Sequence, residues 1–425
     1  MENKRIIQVE DKVPMNLLLP LSLQHMFAMF GASVLVPILF QINPSVVLLM
    51  NGIGTLLFIL ITKGKAPAYL GSSFAFLAPA GLVISKWGYQ YALGGFIVVG
   101  LAACVIAFII YKFGTKWIDI VLPAAAMGPV VALIGLELAG TAASTAGIIP
   151  TEKVPQVPSS NVIVFLVTLS FAVFGSVVFR KFLAVIPILI AIIAGYIAAL
   201  ATKLVTPAMV GKALCSNFFV IPNFQTPRFN MEAILMILPV ILVITSEHIG
   251  HQIVTSKIVE RDLLKDPGLH RSMFADGFST MLSGFVGSVP TTTYGENIGV
   301  MAITKVYSVR VIGGAAILSI IASFIGPVAA LIQTIPGPVI GGISFLLYGM
   351  IGASGIRVMV DGQVNYSRSQ NLILTSVIFV TGLSGVALNI NEVTLKGMVL
   401  ACIVGMALSL IFHFLEKFGL TNDKQ

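Results

Sequence analysis

The sequence predicts an all-α polytopic membrane protein of fourteen transmembrane segments, seven followed by seven in inverted orientation. Three observations carry that reading. The 425 residues are 57% hydrophobic and only 10% charged, with a mean hydropathy of +1.00, whereas a soluble domain carries roughly 25% charged residues. The apolar residues come in long runs, without the alternation that a lipid-facing β-strand needs. Fourteen spans of about 20 residues would occupy roughly 280 residues, which fits the apolar content. The third observation is the distribution of Lys and Arg, taken up below. Together these exclude a soluble enzyme and a disordered chain. The composition also argues strongly against nucleic-acid binding, because the 25 Lys and Arg are spread thinly and form no basic stripe.

The segments fall at 17–40, 46–62, 68–85, 92–111, 117–139, 161–179, 183–202, 231–252, 270–287, 293–304, 309–326, 334–356, 370–388 and 394–415. The first follows a polar tail of mixed charge, 1–16, and is too long for a signal-peptide core, so no cleaved leader is expected. Connections are short except 140–160, 203–230 and 253–269. The last, from Lys257 to Arg271, reads as a solvated cytoplasmic loop. Cys104, Cys215 and Cys402 are too far apart for a disulfide framework or a metal motif. Glycines such as Gly341, Gly342, Gly349, Gly352 and Gly355 read as close helix packing.

With the N-terminus inside, nineteen of the 25 Lys and Arg fall on the inner side. Six fall outside: Lys86, Lys153, Lys203, Lys212, Arg228 and Lys396. This asymmetry is the positive-inside pattern, and it puts both termini in the cytoplasm. It tolerates a count lower by two adjacent spans, so twelve remains open. The polar stretch 203–230 divides the chain into seven segments on each side. Seven is odd, so two halves of like fold must sit inverted, a common transporter plan.

One segment in each half is unusual. Segment 3 opens Tyr69-Leu-Gly-Ser-Ser-Phe-Ala-Phe76 and is interrupted by Pro79 and Gly81. Segment 10 has an apolar stretch of only Ile298 to Ile303, too short to cross a core about 30 Å thick. Phe74 and Glu296 stand at similar depths in their halves. Paired broken segments point to a midplane binding site. Backbone outside a helix survives at membrane depth only where protein or a watery cavity satisfies it, and a half-helix N-terminus offers free N–H donors.

Intramembrane acids cost about 2.5–3.5 kcal/mol on insertion scales and default to function. Glu247 and His251 are four apart in segment 8 and share a helix face. His248 points about 100° away, toward packing. Glu296 opens the half-helix of segment 10, where the dipole favours an acid. Glu247, His251 and Glu296, with backbone N–H groups beside Phe74 and Gly295, suit a small planar ligand with N–H donors and carbonyl acceptors. Phe74 adds an apolar wall, and Gly295 lets the backbone come close. The same groups suit a coupling proton, since histidine titrates near neutral pH. Gln24 and His25 suit hydrogen bonds between helices. Glu137 is expected to snorkel or pack at the interface. Asp276 has Arg271 as its plain local partner. His248 and His251 lack the further ligands of a zinc site. No metal, cofactor or nucleophile–base arrangement is expected, and so no enzyme.

The run Glu296-Asn-Ile-Gly-Val-Met-Ala-Ile-Thr-Lys305 resembles the signature of the nucleobase–ascorbate transporter family. That signature begins Gln/Glu/Pro-Asn, has Gly two residues later, and closes on Thr and a basic residue or Gly. Glu296, Asn297, Gly299, Thr304 and Lys305 fill it here. The pair Gln24-His25 and the acid Glu247 extend the resemblance. So do residues 22–30, 68–76 and 293–299, within a likeness running from about Leu21 to Leu410. Asp276 departs from it, standing where an uncharged Asn is expected.

The resemblance implies a core domain of segments 1–4 and 8–11 (17–111 and 231–326). It implies a gate domain of segments 5–7 and 12–14 (117–202 and 334–415), between cytoplasmic tails 1–16 and 416–425. Segments 3 and 10 would each hold a short antiparallel strand before a half-helix. The implied activity is proton-coupled uptake of uracil across the bacterial inner membrane by alternating access of core against gate, in a homodimer joined through the gate. Uracil would be held by Glu247, Glu296 and the backbone amides at Phe74 and Gly295. His251, Glu247 and Tyr348 would carry proton coupling. The proton is then the coupling ion, and no cofactor is implied. Purine-selective members carry Gln at the first signature position, so Glu296 favours uracil over xanthine or urate. An anion exchanger or channel on the same fold is a further alternative, disfavoured by the acid in segment 10.

Overall fold

The computed structural model describes residues 6–150, 152, 154–180, 183–390 and 393–422. Lys4, Arg5, Lys153, Lys181 and Lys424, counted above for orientation, lie outside the described residues. The first half runs α1 (Met15–Leu39), α2 (Pro44–Ile61), β1 (Leu70–Ser72), a 3₁₀ turn at Phe74–Phe76, α3 (Leu77–Trp87) and α4 (Tyr89–Phe113). It continues through α5 (Lys116–Val121), α6 (Ala124–Glu137), α7 (Ala139–Thr145), α8 (Ser159–Val178), α9 (Pro187–Ala201) and the connecting α10 (Pro207–Leu214). The second half runs α11 (Met231–Ile237), α12 (Val240–Val259), α13 (Leu269–Val286), β2 (Thr291–Thr293), α14 (Gly295–Thr304) and α15 (Val309–Ser323). It closes with α16 (Gly326–Gln333), α17 (Gly337–Asp361), α18 (Ser369–Leu383), β3 (Ala387–Ile390), β4 (Val393–Lys396) and α19 (Gly397–Lys417). Among the described residues, eight helical stretches are long and apolar enough to cross a membrane, and four apolar helices are shorter.

Helix starts follow local chemistry. Asn43 accepts from the Ser45 N–H at 2.9 Å, with Pro44 at the first helical position, where its missing N–H costs nothing. Pro123 and Pro239, which have no N–H to give, stand at breaks inside expected segments 5 and 8. The helix of segment 8 continues to Val259, so Lys257 belongs to it, and the loop expected from Lys257 to Arg271 contracts to 260–268. Segment 13 ends early, at Leu383. The residues after it form the β3–β4 hairpin, with Ala387 opposite Lys396 and Ile390 opposite Val393. Its short apolar stretches had read as helix ends.

Small residues set the helix contacts. A Cβ on Gly277 of α13 would stand 2.6 Å from the Ala103 Cβ of α4, so only glycine lets these helices pack this closely. Helix α2 packs on α15 and α4 on α13. In the rest of the molecule α6 packs on α17, α8 on α9, and α18 on α19.

The two unusual segments meet. β1 and β2 pair antiparallel, Leu70 opposite Thr293 and Ser72 opposite Thr291. Thr55 of α2 clamps the first residue of β1: its hydroxyl accepts from the Leu70 N–H at 2.9 Å and lies 3.4 Å from the Leu70 carbonyl. Thr280 of α13 does the same for β2, donating to the Thr291 carbonyl at 2.8 Å and accepting its N–H at 3.2 Å. Backbone that leaves its helix at this depth is thus satisfied by protein.

The described part of the N-terminal tail lies along the α14–α15 connection. The Ile7 N–H donates to Lys305 O at 3.0 Å, and the Tyr307 and Val309 N–H groups donate to Ile7 O and Val9 O at 2.8 and 3.0 Å. Val9 is fully buried. Arg261 pairs with Glu10, and Lys65 with Asp266 at 2.7 Å.

Candidate functional site

A cavity of about 310 Å³ opens beside the β1–β2 pair. Phe74, Glu247, Gly295, Glu296 and His251 all line it. These residues come from the 3₁₀ turn, α12 and the start of α14. Their convergence follows from strand pairing, which sets the two half-helices side by side, and from the four-residue spacing on α12.

Each polar group has a defined setting. The Glu247 side chain is buried, and its Oε2 has no hydrogen-bond partner among the described residues. Oε1 of Glu296 is buried and equally without one. His251 Nδ1 lies 3.0 Å from the Thr293 hydroxyl on β2. A Cβ on Gly295 would stand 3.4 Å from His251 Nε2, so any side chain at 295 would crowd the imidazole edge. The N–H groups of Gly295, Glu296 and Asn297 open α14 and have no acceptor within the helix. The site therefore offers carboxylate acceptors, helix-end donors and an aromatic face within one small, mostly apolar enclosure.

Tyr348 stands one layer out. Its ring meets that of Phe74 edge to face at 5.7 Å between centroids, and it does not line the cavity. The signature residues divide. Asn297 turns away from the cavity to hydrogen-bond His25 Nδ1 at 2.9 Å, tying α14 to α1. Thr304 donates to Val300 O within α14, and Lys305 takes a left-handed conformation that ends the helix. Gly299 lines the cavity.

One expectation for a neighbouring acid changes. Asp276 does not pair with Arg271. Its Oδ2 lies 3.2 Å from His248 Nδ1, and His248 Nε2 lies 2.9 Å from the Ser272 hydroxyl. His248 faces α13, one turn-face away from the cavity, and fills its donor and acceptor sites there. Arg271 instead reaches the Ile61 carbonyl. Glu137, expected to snorkel or pack at the interface, packs: its Oε2 accepts the Met398 N–H at 2.8 Å and caps α19.

Sequence reasoning missed several lining residues, among them Thr292, Thr293, Ser354 and Arg357. Arg357 sits 3.5 Å from Asp361 on the same helix, and Asp361 also lies 3.6 Å from Lys257 of α12. The i, i+4 spacing of Arg357 and Asp361 was visible, but nothing in sequence placed α17 against α12.

The family model described as "Permease family" matches residues 17–391. The chain belongs to the permease family. The permease is 57% identical to the uracil permease of Escherichia coli (strain K12) over 414 residues, covering 97% of this chain and 95% of that one. It is 52% identical to the uracil permease of Paenibacillus larvae subsp. larvae, covering 99% of each. It is 45% identical to that of Bacillus subtilis (strain 168), covering 92% and 91%. Among solved structures, the permease superposes on the transmembrane domain of a cyanobacterial bicarbonate transporter, BicA, with a TM-score of 0.64 at 14% identity, covering 95% of this chain and all of that one. Murine Slc26a9 gives 0.71 at 11% identity, covering 96% and 69%. Those likenesses show a shared fold. As a permease the protein is a multi-pass membrane transporter and not an enzyme.

Proposed function

We propose that this permease imports uracil across the bacterial inner membrane in symport with protons. The observation that carries the reading is that Glu247 and Glu296 line one cavity and that each has a buried carboxyl oxygen with no donor among the described residues. Leaving such an oxygen without a donor costs about 1–3 kcal/mol or more. A planar ring with two N–H donors supplies both. Its carbonyl oxygens accept from the free N–H groups opening α14 and from the backbone at Phe74, and its face lies against the Phe74 ring. The names of the relatives support uracil as that ring. His251, held by Thr293 on β2, and Glu247 on the same helix face then carry the coupling proton, with Tyr348 bracing Phe74 from α17.

The same proposal includes the fourteen-segment inverted repeat. It is supported by the matching Thr55 and Thr280 clamps on β1 and β2. It is also supported by paired packings that an inverted repeat exchanges: α2 on α15 with α4 on α13, and α8 on α9 with α18 on α19. The core comprises segments 1–4 and 8–11, and the gate segments 5–7 and 12–14. Alternating access moves the core against the gate, both termini face the cytoplasm, and two copies join through their gates. Titration calorimetry on purified protein with uracil, then xanthine, tests the substrate. Uracil binding that excess xanthine leaves unchanged supports the reading. Displacement by xanthine transfers the site to a purine.

A further inference from the structure

A second hollow, of about 400 Å³, lies between α4 and α13 beside the last turn of α2. Its apolar lining includes Ile61, Ala107, Phe108 and Phe274. Its polar lining includes Tyr111, His270 and Arg271. The rings of Tyr111 and His270 stand 5.2 Å apart at the entrance. Lys112 adds a second cation, its Nζ 5.7 and 5.8 Å from the Phe108 and Tyr111 rings.

The two acids nearest Arg271 in sequence are engaged elsewhere. Asp266 is held by Lys65 and Asp276 by His248. Among the described residues, no carboxylate pairs with Lys63, Lys112 or Arg271. The hollow runs onto a strip of exposed apolar side chains on α4, with Leu101, Val105 and Phe108 each more than half exposed. One end of the groove therefore asks for an anion, and the rest asks for hydrocarbon. On the orientation proposed above, this end of α2, α4 and α13 lies at the inner leaflet. That leaflet is rich in anionic lipid, and basic pockets between helices there take phosphate headgroups.

We propose that this hollow binds one anionic phospholipid of the inner leaflet. Its phosphate lies against Arg271 and Lys112, and one acyl chain runs over Phe274 and along the outer face of α4. A lipid seated there braces α4 against α13, the helix whose Thr280 clamps β2 at the candidate site. The inference concerns a surface distinct from the uracil cavity and stands or falls without it.

The test uses the full chain in neutral detergent, offered phosphatidylglycerol or phosphatidylcholine of matched chains, with retained lipid read by native mass spectrometry. Phosphatidylglycerol is expected to be retained at least tenfold more tightly and to raise the melting temperature by several degrees. Arg271→Gln with Lys112→Gln should abolish that preference, while Lys417→Gln, at another helix end, should leave it intact. Inorganic phosphate at 100-fold excess should not displace the lipid. Equal retention of the two lipids by the unaltered protein overturns the proposal, even if the double variant fails to fold. Unchanged retention in a folded double variant, or displacement by inorganic phosphate, also overturns it.

Discussion

Glu247 and Glu296 come from α12 and α14, yet both line one cavity, and each has a buried oxygen without a donor among the described residues. A hydrogen bond to a charged group contributes about 1.5–3 kcal/mol, or roughly 10- to 150-fold in affinity. Glu247→Ala or Glu296→Ala should therefore remove measurable uracil binding in calorimetry; tight binding in both variants would sink the proposed site. His251 touches Thr293 and the Gly295 edge rather than supplying a free carboxylate. His251→Ala should leave uracil binding within a few-fold and abolish accumulation driven by a pH gradient, read as labelled uptake in liposomes. Unchanged accumulation would remove His251 from the coupling role. At this scale much of the site was legible, because an acid in an apolar run needs a reason. What sequence could not give was the partner of each polar group. Asp276 had Arg271 five residues away, but burial beside His248 gave it a better-placed donor across the helix interface.

The strand pair is the element on which the site depends. It was legible only as two oddly broken segments, since nothing local says that residues more than 200 positions apart share a register. Thr280 holds β2 through both its hydroxyl donor and its acceptor sites. Thr280→Val keeps the shape and leaves the Thr291 N–H and C=O unmatched, at a cost of about 1–3 kcal/mol. The melting temperature should fall by several degrees, and Thr280→Ser should restore it; a Val variant as stable as the parent would show the clamp to be idle. The N-terminal strap is a weaker element. Arg261 donates to Glu10 and holds its carboxyl below the usual range. A carboxyl lowered on folding adds stability above its unfolded value, about 4.3, and that stability is lost as pH falls through the folded value. The pair is largely exposed, so it contributes only about 0.2–1 kcal/mol. Glu10→Gln should speed hydrogen exchange at Tyr307 and Val309 by roughly 1.4- to 5-fold at neutral pH, with the difference shrinking as pH falls through the lowered carboxyl value. No difference at neutral pH would assign the strap to its backbone bonds alone. The docked strap and the β3–β4 hairpin were illegible for one reason: short stretches with a mixed pattern take their structure from what they meet.

Across the whole molecule, low charge and long apolar runs sufficed to read a polytopic helical protein, because the bilayer leaves few other solutions. Helix ends shifted where Pro123 and Pro239 interrupt a span and where α12 carries Lys257 past the apolar run. The packing of α6 on α17 and of α4 on α13 was signalled only by glycines, whose partners sequence does not name. Lys257 joins α12 to α17 through the Asp361 carboxylate at 3.6 Å and the Asp361 carbonyl at 2.8 Å. The account's central claim is that this fold couples uracil movement to a proton gradient. The direct measurement is labelled uracil uptake by purified protein in liposomes with an imposed inward-acid gradient, with and without a protonophore. The account predicts accumulation above equilibrium that collapses with protonophore and is competed by unlabelled uracil but not by xanthine. Uptake that only equilibrates, or that ignores the protonophore, would contradict it.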